Sequence, residues 1–206
     1  MKMTNRGNQI IYKYWAPIYD PIAGRLYQAG RRRAYELVNP KPGEKLLIVG
    51  VGTGADFPLI PEGVEATGID LSEDMLARAK EKAHKNQQRI EFILGDAQTL
   101  LVPESSQDIL VFNLILAVIP DGRLCLEENW RALKPGGRAV IFDKFLPDEG
   151  EITFFRRLIN QVATLIGTDV NRKFKDILGN TPARVVVDEP CFLGGAYRVI
   201  LLEKPG

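Results

Sequence analysis

The chain has 206 residues, of which 45% are hydrophobic and 26% charged, with a net charge of +1. This is the profile of a globular domain long enough to bury a sizeable core without staples. No apolar run approaches the roughly 20 residues that span a bilayer, and the polar start, residues 1–9, carries no signal-peptide core. Cys125 and Cys191 stand in neither metal nor redox spacing, so they read as reduced thiols of a cytoplasmic protein, with no metal expected.

The charge is unevenly spread. Residues 1–45 hold nine Lys/Arg and three Asp/Glu, a net +6, and the rest sums to −5. The N-terminal part is therefore expected to meet something anionic, with a solvated helical surface as the competing reading. Residues 1–38 read as helical: Ile10, Ile11, Tyr14, Trp15 and Ile18 share one face, and Pro17 and Pro21 split the segment before a second helix over 22–37. Residues 39–43 form a hinge, so the chain divides into an extension, 1–42, and a main domain, 43–206.

Strands and helices then alternate. Strands are expected over 45–50, 64–69, 89–94, 108–113 and 138–143. Ser72 caps a helix running to about His84, with acids in its first turn, and a second helix covers 122–133 before the turn Lys134-Pro135-Gly136-Gly137. Residues 151–180 read as helical. Strands over 185–188 and 196–203, with no helix between them, form a closing hairpin, so the last strand runs antiparallel. The alternation implies a parallel sheet covered on both faces.

The first strand runs into Gly50-Val51-Gly52-Thr53-Gly54, where a tight turn lets a ligand approach the backbone. Asp70 ends the second strand, 20 residues on, where an acid can bind both hydroxyls of a ribose. This much also fits an NAD-dependent reductase. Gly95-Asp96-Ala97 after the third strand, Lys134-Pro135-Gly136-Gly137-Arg138 before the fifth and the closing hairpin tilt the choice.

Together with Gly68-Ile69-Asp70-Leu71-Ser72 and Met75-Leu76, these segments resemble the class I S-adenosylmethionine-dependent methyltransferases over about residues 43–204. The resemblance implies a Rossmann-like α/β fold, a seven-stranded sheet with the last strand antiparallel. It implies that Gly50, Gly52 and Gly54 pack on the methionine part of S-adenosyl-L-methionine and that Asp70 holds the ribose. Leu71 and Met75 would flank the adenine, Asp96 and Ala97 would meet its edge, and Asn113 would face the methionine part or the substrate. Met75 also reads as helix core, and the lone His84 reads as a surface residue.

Tyr14-Trp15-Ala16-Pro17-Ile18-Tyr19-Asp20-Pro21, Gly30-Arg31-Arg32-Arg33 and Gly167-Thr168-Asp169-Val170-Asn171-Arg172 resemble the bacterial phosphatidylethanolamine N-methyltransferases, a branch near the quinone-biosynthesis methyltransferases. Phe142-Asp143-Lys144-Phe145 departs from the histidine or serine expected after the fifth strand. The branch implies N-methylation of a lipid amine by a cytoplasmic protein peripherally bound to an anionic membrane surface, with no nucleic-acid partner. The alternatives are a quinone precursor or a soluble small molecule as acceptor, or a non-catalytic cofactor-binding module. A methylated ammonium favours aromatic faces, which Tyr12, Tyr14, Trp15, Tyr19, Phe145, Phe154 and Phe155 could supply. Tyr19 or Asp143 could take the amine proton, and Arg31, Arg32 and Arg33 could pair with a lipid phosphate.

Overall fold

A computed structural model describes residues 27–99, 101–146, 171–192 and 195–206. The strands are β1 (Lys45–Val49), β2 (Glu65–Asp70), β3 (Ile90–Leu94), β4 (Gln107–Asn113), β5 (Leu133–Lys144), β6 (Arg184–Phe192) and β7 (Tyr197–Glu203). They form one seven-stranded sheet in the order β3-β2-β1-β4-β5-β7-β6. β1 to β5 pair in parallel, and β7 runs antiparallel to both β5 and β6. The expected Rossmann-like sheet with an antiparallel last strand is therefore present.

The helices are α1 (27–38), α2 (Glu73–Lys85), α3 (Gly122–Ala132) and the short α4 (Phe174–Leu178). Central strands are apolar on both faces, and alternate residues feed two cores. Leu46, Ile48, Ile109, Val111, Val140 and Phe142 pack with Ala34, Tyr35 and Val38 of α1 and with Leu76, Ala79 and Ala83 of α2. Leu47, Val49, Leu110, Phe112, Ala139 and Ile141 pack with Leu126 and Trp130 of α3 and with Phe174 and Ile177 of α4. A Cβ on Gly30 would lie 2.2 Å from the Phe142 ring, so glycine lets α1 sit close to β5.

After the glycine loop, turns and a 3-10 turn, Phe57–Leu59, lead toward β2, with Pro58 near its start. Proline at the start of this short turn, followed closely by Pro61, leaves no room for a regular helix. The Lys134-Pro135-Gly136-Gly137 turn is absorbed into β5. Leu133 pairs with Gln107 and Arg138 with Ile109, across a register shift, with Gly136 at φ 74°.

The order of connections reverses between β1 and β4: β1 leads outward to β2 on one side, and β4 to β5 on the other. In open α/β sheets this switch point leaves a crevice at the carboxyl ends of the strands. Gly50, Asp70, Asn113 and Asp143 all stand at those ends.

Candidate functional site

Asp70 joins the end of β2 to the glycine loop. Its carboxylate accepts the Gly52 amide at 2.8 Å and the Ser72 amide at 2.9 Å. Burial pushes its pKa above the ordinary value, while the amides of Ser72, Gly52 and Leu71 favour the charged form. Ser72 also caps α2, its hydroxyl accepting the Met75 amide at 3.3 Å, as its position before two acids predicts. Leu71 and Met75 are half-buried beside this cap, whereas Leu76, Ala79 and Ala83 form the core face of α2. His84 is exposed.

At the glycine loop, Gly52 adopts φ 54°, and a Cβ there would enter open space. Gly50 has no such room: a Cβ would lie 2.7 Å from Ile115 Cδ1, so the residues after β4 press directly on the loop. Gly54 makes way for the Phe57 ring.

Asp96 shapes the turn after β3 by accepting the Gln98 amide at 2.9 Å and the Gln98 side-chain amide at 3.1 Å. Ala97 is buried, and its carbonyl accepts Asn129 Nδ2 at 2.8 Å. Gln98 in turn accepts the Asp121 amide at 2.8 Å, which ties this turn to the start of α3.

Asn113 is 5% exposed and donates from Nδ2 to Asp56 at 3.1 Å. Its Oδ1 is buried without a hydrogen-bond partner among the described residues. Asp56, itself 3% exposed, holds Arg31 at 2.5 Å. Sequence reasoning missed Asp56, Asn129 and Gln98 as parts of the site. The only signal was for Asp56, an acid directly after the glycine loop.

Asp143 is fully buried at the end of β5. One oxygen accepts the Ala117 amide at 3.0 Å and the other the Lys144 amide at 2.8 Å. Burial pushes its pKa up. The Lys144 charge, the two amides and the Arg172 charge oppose that shift. Tyr19 lies outside the described residues, as do Tyr12, Tyr14, Trp15, Phe154 and Phe155. Phe145 is 2% exposed and packs on Phe174 with ring centroids 5.6 Å apart, so it is a core aromatic. Arg31 is engaged by Asp56, Arg33 pairs with Glu189 at 2.5 Å with its side chain 43% exposed, and Arg32 is exposed.

Residues 47–141 match the methyltransferase domain family. A phosphatidylethanolamine N-methyltransferase from Cereibacter sphaeroides is 31% identical over 94% of this chain and 95% of its own length. A demethylmenaquinone methyltransferase from Listeria welshimeri is 29% identical over 84% of this chain and 79% of its own. The fold is shared with geranyl diphosphate C-methyltransferase from Streptomyces coelicolor, solved with S-adenosyl-L-homocysteine, at TM-score 0.73 and 13% identity, covering 87% and 81% of the two chains.

The residues present fit a methyl donor of that kind. Gly52 leaves open space where a Cβ would stand, Asp70 places a carboxylate beside the Gly52 amide, and Asn113 Oδ1 is a buried acceptor with no partner among the described residues. The chain is a class I methyltransferase that uses S-adenosylmethionine, and it belongs to the family of the phosphatidylethanolamine and demethylmenaquinone methyltransferases.

Proposed function

We propose that this methyltransferase N-methylates the amine headgroup of phosphatidylethanolamine at the cytoplasmic surface of a membrane. One observation carries the reading: the relative that bears this name aligns with 94% of this chain and 95% of its own length. S-adenosylmethionine supplies a methyl group on a sulfonium. Transfer is an in-line displacement in which the nitrogen lone pair forms the new C–N bond as the C–S bond breaks. The chain's task is chiefly to orient the reactants.

In this reading Gly50, Gly52 and Gly54 receive the methionine part and Asp70 the ribose hydroxyls. Leu71 and Met75 flank the adenine, Asp96 and Ala97 bind its edge, and Asn113 faces the methionine part. Residues 1–42 act as an extension to the 43–206 domain, and residues 1–20 close over the site with Tyr19 accepting the amine proton. Ile10, Ile11, Tyr14, Trp15 and Ile18 enter the headgroup boundary, while Lys13, Arg25 and Arg32 meet anionic phosphates. Among the described residues no helix is long and apolar enough to cross a membrane.

The test is mass spectrometry of lipid after incubation with S-adenosylmethionine and phosphatidylethanolamine vesicles. Mono-, di- or trimethylated headgroups are expected, and removal of residues 1–20 should abolish them while the core stays folded. A second reading has its own support in the demethylmenaquinone methyltransferases, which align with 84% of the chain. Methylation of a demethylated quinol with untouched lipid amines would replace the first reading by the second.

A further inference from the structure

The segment between β4 and α3, residues 114–121, is held in an unusual way. It leaves the sheet at Leu114, whose φ of 61° lies in the left-handed region that a branched side chain disfavours. A strained residue persists only where its surroundings over-determine it. Here they do so from two sides. Below, the buried Asp143 carboxylate accepts the Ala117 amide at 3.0 Å. Across the loop, the Arg172 guanidinium donates from Nη1 to the Leu116 carbonyl, and from Nη2 to Ile119 at 2.6 Å and Pro120 at 3.0 Å. Gly122, opening α3, leaves room for this fork: a Cβ there would lie 2.7 Å from the Leu116 carbonyl oxygen and 2.8 Å from Arg172 Nη1. The clamp thus consists of an acceptor for the loop's amide and a planar donor for its carbonyls, supplied by residues far away in sequence.

What the clamp fixes is the wall of the crevice. Ile115, the second residue of the loop, is the side chain that presses on Gly50 at the start of the glycine loop. A loop free to lift there would widen the crevice at the point where β1 and β4 diverge.

We propose that Asp143 and Arg172 are positioning residues that set the cofactor pocket by clamping residues 116–120, and that Asp143 acts through this loop and not as the proton acceptor. A carboxylate is the right group for the task because each of its oxygens takes one backbone amide. An asparagine would turn a donor toward one of the two amides. The inference rests on the cofactor alone and holds for a lipid or a quinone acceptor alike.

The test is titration of S-adenosylhomocysteine by calorimetry, which needs no acceptor, on Asp143→Asn, Arg172→Met and Arg172→Lys, each first checked for a cooperative melt. Affinity is expected to fall by about tenfold for Arg172→Met and Asp143→Asn, since small displacements of a pocket wall carry such effects. Arg172→Lys, which keeps donors but not the fork, should fall between them and the wild type. Hydrogen exchange at the Ala117 amide should quicken in the same order. If Asp143→Asn does not fold, the two Arg172 variants and the exchange rates still decide the matter. Folded variants within about twofold of the wild-type affinity, with unchanged exchange, would overturn the clamp. So would an Asp143→Asn enzyme that binds normally, keeps its KM and loses kcat together with the ascending limb of its pH profile, because that is the signature of a general base.

Discussion

The crevice has two walls built on different principles. On the β2–β3 side the acids that shape the turns bond locally, Asp70 to Ser72 and Asp96 to Gln98, and longer contacts then tie the turns to Gly52, Asp121 and Asn129. On the β4–β5 side every such acid or arginine reaches a distant part of the chain: Asp56 to Arg31 and Asn113, Asp143 to Ala117, Arg172 to Leu116. The turns of the first wall form wherever their strand–turn–helix segments form. The second exists only once α1, β5 and the chain before α4 have all docked. A pocket built this way can keep one cofactor-binding edge while the other is adjusted to the acceptor.

Gly52→Val should break the first wall most completely. The residue sits at φ 54°, which a β-branched side chain adopts only under strain, and the new side chain would enter the open space beside the loop. Binding of S-adenosylmethionine should fall below detection, at least about a hundredfold. Since nothing lies within 4 Å of the added Cβ, the variant should still melt cooperatively. A folded variant with normal affinity would remove the glycine loop from the site.

Asp70→Ala comes next. A ribose bound there would lose charge-assisted hydrogen bonds of about 1.5–3 kcal/mol each. The Gly52 amide would also lose its acceptor, so the loop would loosen at the same moment. Asp70→Asn separates the two effects, because an amide oxygen can keep the Gly52 contact. Calorimetry should place the Asn variant between wild type and Ala; equal affinity for all three would sink the ribose assignment.

These two residues were legible in the sequence because their chemistry is carried by contiguous motifs. A glycine cluster after an apolar strand, an acid ending the next strand and a capping serine before two acids each predict their own local geometry. The hairpin of β6 and β7 was legible for the same reason, and its antiparallel partner β5 removes the NAD-dependent reductase reading together with the family match. Asp56 and Arg172 were not legible as clamps. Their partners lie 25 to 57 residues away, and no periodicity encodes such a distance. Arg31 and Arg33 misled in the opposite direction: a run of three arginines looks like an anion site, but two of them are consumed by Asp56 and Glu189. The start of β5 was hidden because its Pro-Gly-Gly signals a turn, whereas Leu133 already pairs with Gln107 of β4 and the Gly136 amide donates to the Lys204 carbonyl, just past β7, at 3.0 Å.

Asp56→Ala probes the second wall. It strands Arg31, whose side chain is 18% exposed, and removes the partner of Asn113 Nδ2. Breaking a largely buried pair from one side costs about 3 kcal/mol, or roughly 6–12 °C in a domain of this size. Cofactor affinity should fall less than in Asp70→Ala, because Asp56 reaches the crevice through Asn113. A variant with an unchanged Tm would show that α1 is held by its apolar face alone.

The smallest effect is expected from Glu44→Gln, which asks whether long-range pairing as such matters to binding. Glu44 and Arg138 pair at 2.7 Å across 94 residues of sequence, yet Glu44 precedes β1 and Arg138 lies midway along β5, away from the carboxyl ends of the strands that border the crevice. Arg138 also donates to the Val38 and Asn39 carbonyls, capping α1. The hydrogen bond from Arg138 holds the Glu44 carboxyl below its ordinary value of 4.5. A carboxyl whose pKa is depressed in the folded state stabilises the fold above its unfolded value, and that contribution fades as pH falls through the folded value. The wild type should therefore exceed Glu44→Gln by about 1 kcal/mol or less at neutral pH, given the pair's partial exposure. The gap should hold down to about pH 5 and close as the pH falls further below 4.5. Affinity for S-adenosylhomocysteine should stay at the wild-type value throughout. A loss of affinity comparable to that of Asp56→Ala would mean that docking of α1 anywhere along its length is felt in the crevice, and that the two walls are one cooperative unit.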